Sequence, residues 1–563
     1  MSPSPQLGDL SISDRPDPYA LLGLQPDACD AWIRSAYRRS SLQVHPDRCR
    51  DDPEAANRFR KLTEAKELLL NPLRRRVYDI THGVKAKQVA PEKWWVNWDA
   101  IFAELDSEKT EVGEAAHPGN MQDYTAASVP AMFPSHPKAN LQADVLIIGA
   151  TGLVGMMACM LLEKSLKGRT WAIAGRDGRK LQLLESKFGH GDEYKGALQL
   201  QNAEDVLTAV HAARVVVDVT GPSYLAGASV AEACAIAGRH YVDNTIEAHF
   251  SKLIKDKYHA QAKATGACLV MHAGDSSLIA DFGTWYLMRF MRDTYRKPIR
   301  RVVMYEWAAG LRLGGTSYLS ANQGGVWAGE DTAGISPFLL GGMRGFGVRE
   351  EDKDADHPDE HKEHGVHCLQ GSMVDRLVVR ATSGLLDSST PYGRRFHFNN
   401  WVPFLDKETA VSHQFKSMIV QKKMEALVQE DKIPPAGYGP SERLRRERLD
   451  TRVFVATTDE PSTKTPPRTA HLVLTAGPGG LGDRVEGTAA MALEAAAMLL
   501  DAEDQGKKRM LRPGWGTPVY HLAHLGDFME RLQARGLRFR VSEGAPPPEL
   551  LRNIVNSSFP LEF

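Results

Sequence analysis

Cysteine is scarce and scattered: Cys29, Cys49, Cys159, Cys234, Cys268 and Cys368 form no CxxC pair and no metal-ligand spacing. That excludes a disulfide framework and a cysteine-based zinc module, and it fits thiols kept in a reducing compartment. A dominant charge is also lacking. With 69 Lys and Arg against 70 Asp and Glu, the formal net charge is -1, so no global field points to nucleic acid or to an anionic membrane surface. No apolar run reaches bilayer-spanning length. The opening MSPSPQLGDLSISDRPDP carries neither a basic-then-apolar leader nor an Arg-rich amphipathic helix. The expected setting is cytoplasmic, without a membrane span.

What is present is ample core material: hydrophobic residues make up 42% of 563 positions, enough for two or three domains. The chain is organised around ADVLIIGATGLVG, Ala143 to Gly155. The β-formers Val145 to Ile148 feed a loop with glycines at 149, 152 and 155, and an apolar helix follows through Met156, Met157, Ala158 and Leu161. A strand, a glycine loop and a helix N-terminus together cradle a pyrophosphate, because the first helical N–H groups lack intrahelical partners and the helix dipole favours negative charge. Gly149, Ala150, Thr151, Gly152, Leu153, Val154 and Gly155 are the expected cofactor contacts, joined by Thr220, Gly221 and Pro222 at the end of the strand RVVVDVT.

After the second expected strand, TWAIA, the first charged residue is Arg176, with Arg179 and Lys180 on the next turn. A guanidinium matches a phosphate oxygen pair in shape and charge, so the spacing favours NADP; Asp177 keeps NAD as the alternative. Further strands are expected at His240–Asp243 and 267–271, with helices over 229–237 and 250–264. This βαβ repetition predicts a doubly wound parallel sheet. Near its carboxyl edge a proton donor is needed, and Tyr224, His249 and Asp275 are the chosen candidates, with Asp243, Glu247, His272 and Ser276 nearby. Gly314, Gly315 and Thr316 are expected to open a helix over the cleft. The stretch 349–368, rich in acid and histidine, reads as a solvated loop with no metal.

The amino-terminal part is separate. Helical spacing is expected over 30–44, 53–70 and 72–80, with His45-Pro46-Asp47 at the tip of a hairpin and Arg34, Arg38 and Arg39 on a basic face. YALLGL, AYRRSSLQVHPDR and RFRKLTEAKELLLNPLRRRVYD resemble the J-domain family. That resemblance implies docking on a DnaK-type heat-shock ATPase, with His45, Pro46 and Asp47 prompting ATP hydrolysis and the three arginines supplying the electrostatic contact. Trp94, Trp95 and Trp98 lie in a stretch read as linker.

GATGLVG, WAIAGR, VVVDVTGP, GRHYVDNT, HAGDSSLIADFG, TPYGRRF and RVEGTAAMALEAAAMLL resemble the saccharopine dehydrogenase-like oxidoreductases, including trans-acting enoyl reductases. This resemblance implies an α/β, Rossmann-type doubly wound parallel sheet with a second α/β substrate domain, preceded here by the small all-α J-domain. The expected organisation is 17–83 J-domain, 84–141 linker, 142–274 NADP-binding domain, 275–541 substrate domain with a returning segment, and 542–563 tail. The function implied is reduction of an enoyl or carbonyl small molecule. The alternative is a co-chaperone whose Rossmann region is a non-catalytic cofactor-binding or docking scaffold.

Overall fold

The computed structural model describes residues 17–24, 52, 54–70, 142–309, 335–343, 358–386, 392–422, 449–460, 465–476 and 480–556, with the single positions 33, 36, 37, 40, 41, 44, 317, 320, 438 and 439. The expected linker, His45 to Asp47, Arg34, Arg38, Arg39 and Gly314 to Thr316 lie outside them. The chain divides into two compact units, Met1–Lys93 and Trp94–Phe563.

In the first unit, Asp17 caps the short helix Pro18–Leu22 by accepting from the Tyr19 N–H at 3.0 Å. The helix ends at Gly23, whose φ of +65° is a left-handed cap that glycine adopts without strain. Apolar spacing in helix Ala55–Leu70 buries Leu62, Ala65 and Leu69 with Tyr19, Leu22, Ile33 and Ala36 in one small core. The Tyr37 hydroxyl lies 3.0 Å from Thr63 Oγ1, and the Lys66 ammonium lies 4.6 Å from the centre of the Tyr37 ring.

The second unit is built on two seven-stranded sheets. Its strands are β1 (Ala143–Ile148), β2 (Trp171–Gly175), β3 (Tyr194–Gln199), β4 (Ala213–Asp218), β5 (His240–Asp243), β6 (Cys268–Val270), β7 (Ile299–Ala309), β8 (Asp359–His361), β9 (Val366–Gln370), β10 (Tyr392–Phe404), β11 (Leu449–Thr458), β12 (Thr469–Ala476), β13 (Gly514–Gly516) and β14 (Leu537–Glu543). The first sheet is wholly parallel in the order β13-β6-β5-β4-β1-β2-β3. The order in which successive strands are added reverses between β1 and β4, which creates a crevice at their carboxyl ends. Val145 and Ile147 enter one core and Leu146 and Ile148 another, so helices cover both faces and the continuous apolar run is explained.

One helix boundary and one strand differ from expectation. The helix after β4 runs Ser223–Ala237, beginning directly after Pro222 rather than at 229, because its first N–H groups are held by the Glu247 carboxylate. The polar edge strand β3 is an element that periodicity did not reveal.

The second sheet is mixed, in the order β14-β12-β11-β7-β10-β9-β8. Helix Asp275–Tyr295 links it to the first sheet and packs on β7, β11 and β12. The described part of the histidine-rich insert is not a solvated loop but the antiparallel pair β8 and β9. His361 packs edge-on against Tyr305 and Trp401, and its Nδ1 lies 2.9 Å from the Tyr305 hydroxyl; His364 also packs edge-on against Tyr305. Aromatic burial is the role these rings have. The carboxyl-terminal part returns to both sheets: helix Arg484–Asp504 packs on helix Leu153–Ser165, β13 extends the first sheet and β14 the second. Helix Leu550–Asn556, within the stretch read as tail, buries Leu551 and Ile554 in a core with Val303, Tyr305 and Trp401.

Candidate active site

The glycine loop leaves β1 at Gly149, whose φ is +85°. A Cβ at Gly149 would lie 2.8 Å from the Thr220 nitrogen, and one at Gly155 would lie 2.2 Å from the Gly149 carbonyl oxygen. Those two glycines close the loop on itself and on the end of β4. Gly152 differs: a Cβ there would meet within 4 Å only the Gly149 oxygen, at 3.2 Å, so its open side is where a ligand backbone can approach. Gly152 is the N-cap of helix Leu153–Ser165 and no side chain caps that helix, which leaves N–H donors at its start for an anion. Two tight glycine positions, one open one and an uncapped helix start fit a dinucleotide pyrophosphate.

At the end of β2 the two charged neighbours have separate roles. Asp177 caps helix Gly178–Phe188 by accepting from the Lys180 N–H at 3.1 Å. Arg176 is exposed, and no carboxylate pairs with its guanidinium among the described residues. The Arg176 backbone is fixed instead, its carbonyl accepting from Gln199 Nε2 at 3.0 Å.

Beneath the loop that follows β4 lies a buried polar chain. Asp218 Oδ1 accepts from the Thr220 N–H at 3.0 Å and from its hydroxyl at 2.7 Å. The Tyr241 hydroxyl lies 3.2 Å from Asp218 Oδ2 and 3.1 Å from Asp243 Oδ2. Asp243 Oδ1 in turn accepts from the N–H of Thr245 at 3.2 Å and of His272 at 2.8 Å. Burial pushes Asp218 up to about 6, and burial with the nearby Asp218 charge pushes Asp243 up to about 8. His272 is fully buried with φ +64°, an uncommon backbone for a residue bearing Cβ, and burial drives its ring down to about 4. Its Nδ1, 2.8 Å from the Thr245 carbonyl, must be the protonated nitrogen there.

Glu247 organises the crevice rim. One carboxylate oxygen accepts from the Ser223 N–H at 2.8 Å and the Ser320 hydroxyl at 2.7 Å; the other accepts from the Tyr224 N–H at 2.7 Å. The helix start after β4 is thereby filled by a protein carboxylate, whereas the start of helix Leu153–Ser165 is left open to an anion.

Tyr224, His249 and Asp275 all open helices that follow β4, β5 and β6, so the fold brings them to the carboxyl edge of one sheet. Their surroundings differ. The Tyr224 ring packs partly buried, and burial together with the Glu247 charge raises its phenol above the ordinary value, keeping the proton on. His249 Nε2 is buried with no hydrogen-bond partner among the described residues. The Asp275 carboxylate is engaged by Arg484 at 3.1 Å and Arg452 at 3.5 Å, part of a buried cluster in which Arg452 also meets Asp450 at 3.0 Å and Glu306 at 3.3 Å. Two guanidinium groups hold it in place, which suits an orienting role. Close by, Asp375 accepts from Ser276 Oγ at 2.9 Å and Ser277 Oγ at 2.8 Å, and burial pushes it up to about 6.

Residues 17–79 match the DnaJ domain, and residues 145–270 match the saccharopine dehydrogenase NADP binding domain. The chain carries both domains. Over 78 residues it is 47% identical to chaperone protein dnaJ 39 of Arabidopsis thaliana, a match covering 14% of this chain and 18% of that protein. Over 154 residues it is 33% identical to a trans-acting enoyl reductase of Mycobacterium bovis, covering 27% of this chain and 37% of that protein. The chain thus spans well under half the length of these curated relatives. Among solved structures, apo saccharopine dehydrogenase (L-Glu forming) from Saccharomyces cerevisiae aligns with 72% of this chain and 100% of its own at 10% identity and a TM-score of 0.40. The likeness is therefore to DnaJ domains over one stretch and to saccharopine dehydrogenase NADP binding domains over another.

Sequence reasoning missed Asp218, Tyr241 and Ser320. Asp218 and Asp243 are paired across β4 and β5, a signal visible in the aligned strand ends VVVD and HYVD. Ser320 had no such signal, since its contact with Glu247 spans 73 positions.

Proposed function

We propose that this chain is a cytoplasmic NADP(H)-dependent reductase of an enoyl or carbonyl small molecule, whose DnaJ domain recruits a DnaK-type chaperone. The observation that carries the cofactor reading is the division of labour at the end of β2: Asp177 is occupied as a helix cap, while the Arg176 guanidinium has no carboxylate partner among the described residues. A 2′-phosphate placed beside it gains a charge-assisted, two-pronged contact that a ribose hydroxyl does not offer. Gly149, Ala150, Thr151, Gly152, Leu153, Val154 and Gly155 hold the pyrophosphate, and Thr220, Gly221 and Pro222 border the nicotinamide half.

Bound NADPH would supply the hydride. The protein's part is to orient the acceptor, exclude water and hold a proton at the Tyr224 hydroxyl, which is uncharged and at the crevice. His249 lies at the start of the next helix, and Asp275 engages Arg484 and Arg452. Fluorescence titration should show NADPH bound more tightly than NADH, with Arg176→Ala removing the difference; equal affinity in the wild-type chain would sink the assignment. For the amino-terminal unit, His45, Pro46, Asp47, Arg34, Arg38 and Arg39 are the proposed chaperone contacts. Stimulation of a DnaK-type ATPase by the full chain, lost in His45→Gln, is the expected result, and no stimulation by the wild-type chain rejects it.

A further inference from the structure

The contacts around Tyr241 do not balance if both neighbouring carboxyls are ionised. A phenol has one hydrogen, yet its oxygen lies 3.2 Å from Asp218 Oδ2 and 3.1 Å from Asp243 Oδ2. It donates to one of them. The other contact is an oxygen–oxygen repulsion unless that carboxyl itself carries a proton and donates to the phenol oxygen. The remaining oxygens leave no other arrangement, because Oδ1 of each acid is already an acceptor, from Thr220 on one side and from Thr245 and His272 on the other.

We infer that Asp218 and Asp243 share one proton through Tyr241, and that this singly protonated pair is the positioning unit that holds Thr220 against the phosphate cradle. The link to the cradle is direct: Thr220 donates both its N–H and its hydroxyl to Asp218, and its nitrogen is the atom a Gly149 side chain would strike. The surroundings support the count. All three residues are buried, and among the described residues neither acid has an Arg or Lys partner. The titratable groups facing them are Cys234, from helix Ser223–Ala237, and His272, after β6. Burial raises the Cys234 thiol well above its ordinary value and lowers His272, so both stay neutral and neither supplies a counter-charge. The raised values of both acids follow from the same burial.

The sign of the linkage is fixed by the count. Removing the shared proton puts two carboxylates on one phenol, and the strain falls on the Asp218–Thr220 contact. Cofactor affinity is then full at neutral pH and falls as pH rises past the pair's own titration, with a limiting slope of about tenfold per pH unit. This inference rests on the cofactor reading above, so three readouts separate the two. The infrared difference between the wild-type chain and Asp243→Asn at pH 7 should contain a protonated-carboxyl band that titrates away at alkaline pH, a subtraction that cancels the signal of other buried acids such as Asp281. NADPH affinity from pH 6 to pH 10 should weaken in the wild type and stay level in Asp243→Asn, whose amide is a permanent donor to the phenol. Tyr241→Phe, which removes the bridge and keeps the ring, should lose the coupling too. Exchange of the Thr220 amide should quicken with the band's disappearance beyond the intrinsic pH effect. Failure to bind NADPH at any pH would reject the cofactor reading, leaving the band and the amide to decide the proton. Absence of the band at pH 7, an amide insensitive to it, or an identical pH profile in wild type and Asp243→Asn overturns the inference.

Discussion

The Ser320 hydroxyl donates to Glu247 at 2.7 Å, tying the chain that follows β7 to the rim of the first sheet's crevice. Ser320 is buried, and the same carboxylate holds two backbone N–H groups at the start of helix Ser223–Ala237. One acid therefore serves three donors from two distant parts of the sequence.

The donors can be separated by substitution. Glu247→Gln turns one accepting oxygen into a donor that faces another donor, and should destabilise the chain by about 1.5–3 kcal/mol, the range for hydrogen bonds to charged groups. Ser320→Ala removes one donor and leaves the carboxylate with two, at a cost of about 1 kcal/mol. Urea unfolding compares them. Equal losses would mean that the helix N–H groups do not depend on Glu247.

Two glycines in the loop should fail in different ways. Alanine at 155 places a methyl 2.2 Å from a backbone oxygen that has no room to move, so Gly155→Ala should lower stability by about 1–3 kcal/mol through overpacking. Alanine at 152 meets only the Gly149 oxygen at 3.2 Å, so Gly152→Ala should leave the melting temperature nearly unchanged while weakening NADPH binding. A variant pair that loses stability and binding together would contradict the reading of Gly152 as the ligand-facing position.

These examples show what the residues disclose. Ile148, Gly149, Gly152 and Gly155 announce themselves because a buried parallel strand has to be apolar and the turn has to be glycine. Arg176 is legible for a related reason, being the first charge after the second strand. The hydrogen-bonded organisation is not local. Ser320 meets Glu247, Asp218 meets Tyr241, and Arg452 meets Asp275 across 177 positions, and no spacing rule joins such pairs. Charge in the insert around His361 suggests solvent, whereas its rings are packed on Tyr305 and Trp401.

Asp281 predicts a loss of stability as pH rises towards neutrality. It is fully buried in helix Asp275–Tyr295, accepts from the Val519 N–H at 3.0 Å, and burial pushes it up to about 7. A carboxyl whose folded value lies above its unfolded value binds its proton more tightly in the folded state. Its contribution is complete below about pH 4 and declines by about 1.4 kcal/mol per pH unit until the folded group titrates near pH 7. Asp281→Asn cannot ionise, so it should be more stable than wild type at pH 8 relative to pH 5. Chemical denaturation at the two pH values measures this, and a constant difference would show that Asp281 is ionised in the folded chain.

The last prediction concerns the returning carboxyl-terminal part. Arg214, at the start of β4, pairs with Asp144 at 2.8 Å on β1, with Glu503 at 2.9 Å and with Asp504 at 2.7 Å, while Arg169 reaches Asp501 at 2.7 Å. These pairs are partly exposed and individually worth about 1 kcal/mol or less. The apolar contact is larger: helix Arg484–Asp504 buries Met491, Leu493, Met498, Leu499 and Leu500 in the core shared with Val145, Ile147 and Met156. Loss of this helix would expose that face of the first sheet, and loss of β13 with it would leave the edge of β6 unpaired. A chain ending at residue 483 should therefore aggregate, although the whole 145–270 stretch is retained. Arg214→Met in the full chain should fold, with a modest drop in melting temperature. Supplying 484–563 as a separate chain should restore part of the soluble material, as judged by gel filtration and co-purification. A soluble, monomeric 1–483 chain with native-like amide protection in β1 and β4 would show that the sheet stands without its returning helix.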